Sequence, residues 1–192
     1  EIWNLVFIQY HAIKDGENTR LEALQNKHVD TGMGFERVCA VLQGKSSNYD
    51  TDLFAPILAA VARMAGLEDR GNVAAYDALD ERDEAQLKQR IAMRVVADHV
   101  RTLVFAISDG AAPSNTGRGY VVRRILRRAV RYGYQGLGLR EPFLAALLPA
   151  LADEMGSAFP ELVETQETAA RIITGEEEAF LRTLESGIER FE

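Results

Sequence analysis

Tyr120-Val121-Val122-Arg123-Arg124-Ile125-Leu126-Arg127-Arg128-Ala129-Val130-Arg131-Tyr132 is the stretch whose reading decides the fold. At 100° per residue, Val122, Ile125, Leu126, Ala129 and Val130 fall on one face of a helix. Arg123, Arg124, Arg127, Arg128 and Arg131 fall on the opposite face. Pro113-Ser114-Asn115-Thr116 supplies turn and capping chemistry ahead of it, and Gly133, Gly136 and Gly138 are predicted to end it. The surrounding segment, Gly110 to Arg140, carries seven arginines and no acidic residue, in a chain whose net charge is -7. A basic island on an acidic background fits a polyanion-docking surface. A solvated face paired with acids on neighbouring helices also fits. No acid inside the helix stands ready to pair at i,i+4, which favours phosphate binding.

Working outward, helical periodicity dominates. Leu87 to Ile107 carries an apolar stripe through Ala92, Val96, Val100, Leu103, Val104 and Ile107. Helices are predicted over Phe35 to Gln43, over Leu53 to Ala65 behind an Asp52 cap, over Glu141 to Met155, and from Glu161 onward. In that last stretch nine glutamates face three arginines, and Glu176-Glu177-Glu178 is read as a solvated face. At the start, Ile2 to Tyr10 is apolar on both alternating faces and predicts a central strand covered on both sides. Lys14-Asp15-Gly16-Glu17 signals a turn, and a second extended segment should run to about Val29 to Thr31. The expected fold is mainly α with a small antiparallel β portion.

Composition bounds the function. The chain has 192 residues, 47% of them hydrophobic, enough to bury a core. No apolar run is long enough to span a membrane, and no signal peptide is visible, so a cytoplasmic protein is expected. The single Cys39 excludes an internal disulfide, and His11, His28 and His99 lack zinc-ligand spacing, so no metal site is expected. Both ends read as cut from a larger protein.

Three polar features lie outside a purely structural account. Asn4 sits on the strand face of Ile2, Val6 and Ile8, where a side-chain amide is either a ligand contact or bonded to nearby backbone. Val29-Asp30-Thr31-Gly32-Met33-Gly34-Phe35-Glu36-Arg37 passes through two glycines into a helix. Free N–H groups and Arg37 there suit an anion, and Asp30 suits an ammonium. The alternative is a tight turn with a surface ion pair. His99, within Ala97-Asp98-His99-Val100-Arg101, has no nucleophile or metal partner in view and is assigned no catalysis.

Val29 to Arg37, continuing through Val38-Cys39-Ala40-Val41-Leu42-Gln43, resembles motif 3 of the class II aminoacyl-tRNA synthetases in its alanine-specific form. Glu1-Ile2-Trp3-Asn4 with Val6-Phe7 resembles the strand before it, and Ala97-Asp98-His99-Val100-Arg101 is similar to a separate block of that family. Ser47-Asn48-Tyr49-Asp50, Asp109-Gly110 and Pro113-Ser114-Asn115 through Arg118-Gly119-Tyr120 to Arg131 are similar to further blocks of that family, in the same order. The resemblance implies a ligase that activates alanine with ATP and Mg2+ and transfers it to the acceptor stem of its tRNA. By position, Arg37 would be the catalytic motif 3 arginine at the ATP site, together with Gly34 and Glu1. Asn4, Asp30 and Gly32 would hold alanine. Asn115 would read the G3·U70 wobble pair, with Arg118, Arg123, Arg124, Arg127, Arg128 and Arg131 on the RNA around it.

The same resemblance implies the C-terminal part of a class II catalytic domain over residues 1–70. An acidic linker or loop would follow over 71–87, then a helical tRNA-binding domain over 88–192. Motifs 1 and 2 and the editing domain with its zinc site have no counterpart here. The chain should therefore carry half an adenylation pocket and be inactive by itself. A non-catalytic helical RNA-binding module is the main alternative, and a helical protein-interaction domain a third.

Overall fold

A computed structural model describes residues 2–67 and 82–188. It divides into two compact units, Glu1–Thr51 and Asp52–Glu192. Most of the expected 71–87 segment, and Glu1, lie outside the described residues.

The first unit is a hairpin followed by a short helix. Strands β1 (Trp3–Asp15) and β2 (Asn18–Met33) pair antiparallel from Trp3↔Met33 to Asp15↔Asn18. The turn between them has Gly16 at φ 60°, a value an L side chain rarely adopts. A bulge interrupts the register between Ile8 and Tyr10. The expectation of a strand covered on both sides is corrected. Among the described residues β1 pairs only with β2, and Trp3 and Phe7 on one face and Val6 on the other are exposed. Apolar alternation reports what a strand is able to bury, and here those faces are open.

Helix α1 (Phe35–Leu42) starts at Gly34, whose N–H donates to Ile2 O at 3.0 Å and whose O accepts from Val38 N at 2.9 Å. That pair of bonds pins the start of the helix to the start of β1. A 3-10 turn, Asn48–Asp50, follows, with Ser47 Oγ accepting from Tyr49 N.

The second unit is entirely helical among its described residues. Helix α2 (Ala55–Met64) is N-capped by Phe54 rather than by Asp52. Leu53 and Phe54 are buried as the chain enters the helix, and Pro56 occupies the first turn, where its missing N–H costs nothing. Helix α3 (Glu84–Ser108) begins three residues before the predicted Leu87, because Asp83 accepts from both Ala85 N and Gln86 N. All six predicted stripe residues of α3 are buried, from Ala92 to Ile107.

Helix α4 (Gly117–Leu137) packs along α3. It runs through Gly133 and Gly136, which the sequence reading took as terminators, and stops only at Gly138, with φ 70°. The two interior glycines are there for closeness. A Cβ on Gly133 would lie 2.3 Å from Phe143 Cζ, and one on Gly136 would lie 2.6 Å from Ala92 Cβ.

The predicted 141–155 helix is a 3-10 turn, Leu144–Leu147, leading into α5 (Leu148–Met155), with Pro149 at its first turn. Helices α6 (Pro160–Glu164) and α7 (Gln166–Ile188) complete the unit. The break between them falls at Thr165, whose hydroxyl donates to Glu161 O and lies 2.6 Å from Ser108 Oγ on α3. Helix α7 packs against both α4 and the 3-10 turn. Among the described residues the architecture is mainly α with one two-stranded antiparallel sheet. No described helix is long and apolar enough to cross a membrane.

Candidate nucleic-acid interface and amino-acid site

The arginine face of α4 is split between two environments. Arg124, Arg128 and Arg131 are exposed, and Arg118 is exposed in the first turn of the same helix. Arg124 lies 5.9 Å from the Tyr120 ring centroid, and Arg128 and Arg131 each lie 5.7 Å from that of Tyr132. These are cation–π distances, which orient a guanidinium without neutralising it. Arg123 and Arg127 instead meet Glu176 of α7. Arg127 donates to Glu176 Oε1 from Nε at 3.1 Å and from Nη2 at 2.9 Å, with its guanidinium 5.2 Å from the Phe180 ring. Arg123 Nε sits 2.9 Å from the same oxygen, while Arg123 Nη1 donates to Asn115 Oδ1. The picture of five guanidiniums all presented to solvent is therefore corrected: Glu176, 49 residues beyond Arg127, engages two of them.

Glu176-Glu177-Glu178 is not a solvated face. Only Glu178 is exposed. Glu177 is fully buried, and its two carboxylate oxygens accept from Phe143 N at 3.0 Å and Leu144 N at 3.2 Å. It thereby satisfies the free N–H groups where the 3-10 turn begins. Burial pushes its carboxyl up to about 7, against the two backbone bonds, with Glu178 adding a small like-charge push.

Alongside these arginines runs an open groove of about 570 Å³, lined by Arg124, Arg127, Arg128, Arg131, Tyr132 and His99 among others. His99 Nδ1 is 2.9 Å from Asp98 Oδ2. That bond holds the Asp98 carboxyl below its ordinary range despite partial burial, helped by the charges of His99, Arg101 and Arg128. The groove thus has a basic rim and aromatic walls, and Asp98 bonds the His99 that lines it.

Asn115 stands at the N-terminal approach to α4, on a loop with little freedom. Ser114 Oγ donates to Thr116 O at 2.8 Å, and Ser114 N donates to Gly119 O at 3.0 Å. A Cβ on Gly119 would be 2.3 Å from Ser114 Oγ and 2.5 Å from Ala112 O. Thr116 occupies the N-cap position without a side-chain bond.

In the hairpin, Asn4 pairs across with Gly32, and Val6 with Asp30. Cross-strand partners share a face and so do residues two apart, so Asn4 and Asp30 are diagonal neighbours on one face. Gly32 lies directly opposite Asn4, and a Cβ there would meet nothing within 4 Å, which leaves open space beside the amide. Asp30 Oδ1 accepts from Thr31 N at 2.8 Å. Arg37 is exposed in the first turn of α1, its stem lying against Gly34. A Cβ on Gly34 would come within 3.2 Å of Arg37 Cδ. No group of three or more His, Cys, Asp or Glu able to hold a metal is gathered among the described residues.

Periodicity alone does not bring Glu176, Tyr132, Phe180 and His99 to the basic surface, or Glu177 to the core beneath it. One signal was available for Glu177. Buried Ala169, Ile173 and Leu181 are spaced by four and by eight, and residue 177 completes that stripe.

A family model described as "tRNA synthetases class II (A)" matches residues 1–192. Alanine–tRNA ligase of Salinibacter ruber is 60% identical over 193 residues, covering 100% of this chain and 19% of that protein. The protein of the same name from Chlorobium phaeovibrioides is 56% identical over 191 residues, covering 100% of this chain and 20% of that one. The one from Bacteroides fragilis is 54% identical over 188 residues, covering 98% and 20%. The chain spans about a fifth of the length of these curated relatives.

Proposed function

Because the chain belongs to the class II (A) family of tRNA synthetases, we propose that it is a portion of a cytoplasmic ligase that activates alanine with ATP and attaches it to tRNA(Ala). In this reading it contributes half of the adenylation pocket and the surface that docks the acceptor stem. The observation that carries the RNA half is the groove along α4. Three exposed arginines rim it in a protein of net charge -7, and the aromatic rings beside them orient the guanidiniums without cancelling them. Arg118, Arg123 and Arg127 extend the basic surface, and Asn115 at its N-terminal approach is the residue assigned to the G3·U70 pair. Phosphate contacts supply affinity and register, and an amide at the groove edge supplies base selectivity.

The alanine half rests on Asn4, Gly32 and Asp30 sharing one sheet face, with open space above the glycine. Asp30 supplies a counter-charge for the ammonium, and Asn4 a hydrogen bond to the amino acid. Arg37, on the helix pinned to the start of β1, is assigned to ATP together with Gly34 and Glu1. ATP is used with Mg2+ in such a reaction. None of the described residues is assigned to the metal, since they gather no cluster of metal ligands. The catalytic-domain and helical-domain arrangement of the family is carried with the same reading, as residues 1–70 and 88–192 about a 71–87 linker whose last four residues form the start of α3.

RNA binding is tested with acceptor-stem hairpins, followed by fluorescence anisotropy across a salt series. Replacing Arg124 and Arg128 by alanine should weaken binding of every stem. It should also flatten the log Kd against log salt slope by roughly 0.9 per lost phosphate contact. Unchanged affinity and slope would refute the assignment. The arginine groove lies wholly within Asp52–Glu192, which keeps a non-catalytic helical RNA-binding module as the second reading. Alanine-dependent pyrophosphate exchange by the full-length ligase, lost on Arg37→Ala, separates the two.

A further inference from the structure

Asn115 and Glu176 are 61 positions apart in sequence, yet Arg123 touches both. From this we infer that Glu176 is a positioning residue. Acting through Arg123, it fixes the Asn115 amide with its NH2 outward, so that the site selects a hydrogen-bond acceptor on the RNA groove edge. The inference rests on the RNA reading of this surface and adds a polarity to it.

Arginine has five N–H donors and no acceptor. The Asn115 atom facing Arg123 Nη1 is therefore the carbonyl oxygen, and the amide nitrogen is the atom left to present. The Asn115 backbone is already held by the Ser114–Thr116 and Ser114–Gly119 bonds and by the tight packing at Gly119. What Arg123 adds is the side-chain rotamer and the sense of the amide. A free Asn on this loop would offer donor and acceptor equally and would discriminate poorly between base edges that differ in which they carry.

Arg123 is held in turn from behind. Its Nε lies 2.9 Å from Glu176 Oε1, but no hydrogen bond of good geometry forms at that nitrogen. The attraction is therefore mainly charge on charge. The hydrogen bonds to that oxygen come from Arg127, through Nε and Nη2. Without the negative charge, two guanidiniums one helical turn apart would repel, and only an exposed hydrogen bond would hold Arg123 on Asn115. The carboxylate is itself well placed, since the next residue, Glu177, is anchored to Phe143 N and Leu144 N.

Because charge rather than shape holds Arg123, Glu176→Gln is the decisive variant, and circular dichroism checks that it stays folded. Two readouts are taken on this chain. The first is the Asn115 side-chain NH2 pair in 15N–1H spectra without RNA. It should be shifted in the wild type and move to the positions of a free asparagine in Glu176→Gln, and equally in Arg123→Lys. The second is the ratio of Kd values for acceptor-stem hairpins carrying G·U or G·C at the third pair. In Glu176→Gln that ratio should shrink by about tenfold, the scale of one base contact. The loss should fall on the G·U stem, while affinity for the G·C stem should hold or rise, because a negative charge has been removed from the surface. An Asn115 amide unmoved by Glu176→Gln overturns the inference, and so does a moved amide with an unchanged ratio. If the wild type binds neither stem, the RNA reading fails and the specificity role falls with it. The amide spectrum then still decides whether Glu176 positions Asn115.

Discussion

Glu177→Gln should change the pH dependence of stability more than stability itself. In the wild type the carboxyl is fully buried and titrates near 7, against an ordinary value of 4.5. The folded state therefore holds more protons than the unfolded chain between those two values. The stability contributed by this group is fully present below about pH 4.5 and is lost as pH rises through about 7. The gap corresponds to roughly 3 kcal/mol. Glutamine resembles the protonated acid in shape and is neutral at every pH, so the variant lacks this slope. At pH 5 the variant should be the weaker of the two. Its amide nitrogen replaces one of the oxygens facing Phe143 N and Leu144 N, and an unsatisfied buried N–H costs about 1–3 kcal/mol. By pH 8 the deficit should be gone or reversed. Urea unfolding of both proteins at pH 5, 6, 7 and 8 measures this, and the other carboxylates cancel in the difference. A stability difference that stays constant across that range would refute the reasoning, because it would mean that Glu177 is charged in the fold at all of these pH values.

Two further outcomes follow from the packing and the hairpin. Gly133→Ala should destabilise the helical unit by about 1–3 kcal/mol, since its Cβ would lie 2.3 Å from Phe143 Cζ. Thermal unfolding monitored at 222 nm checks this, and an unchanged Tm would show that the Phe143 ring moves aside freely. In the full-length ligase, Asp30→Asn should raise the KM for alanine by about tenfold or more while leaving that for ATP nearly unchanged, because only the ammonium loses a counter-charge. Steady-state pyrophosphate exchange separates the two constants, and an equal rise in both would remove Asp30 from the amino-acid pocket.

How far each element was legible depends on the range of the interaction that fixes it. The buried stripe of α3 and the two faces of α4 follow from periodicity, because a 3.6-residue repeat over twenty residues is a local signal. Gly133 and Gly136 were misread as helix stops because glycine serves two ends. It tolerates positive φ at a terminus, as Gly138 does, and it permits contact within a helix, as Gly136 does against Ala92. The sequence does not say where Ala92 will be. Asp52 suits a cap by residue type alone, whereas the burial of Leu53 and Phe54 moves the helix start past it. The same distinction governs the arginines. Their common face is local, but the pairing of Arg123 and Arg127 with Glu176 depends on how α7 packs on α4. For Asn4 and Asp30, the shared face follows from the strand register, which an irregular hairpin with a bulge does not announce.

Why an acidic chain keeps usable arginines is explained by the split on α4. An arginine in an ion pair has to give up its carboxylate before it takes a phosphate, so much of the gain is spent in exchange. An arginine over an aromatic ring keeps its full charge, and its rotamer freedom is already reduced. Arg124, Arg128 and Arg131 are of the second kind, and they line the open groove. Arg123 and Arg127 are of the first kind, and one carboxylate serves both. Glu177, the next residue, turns inward to the 3-10 turn, because consecutive helix positions are 100° apart. The density of glutamate on α7 therefore leaves the groove basic: of Glu176, Glu177 and Glu178, only Glu176 reaches an arginine of α4.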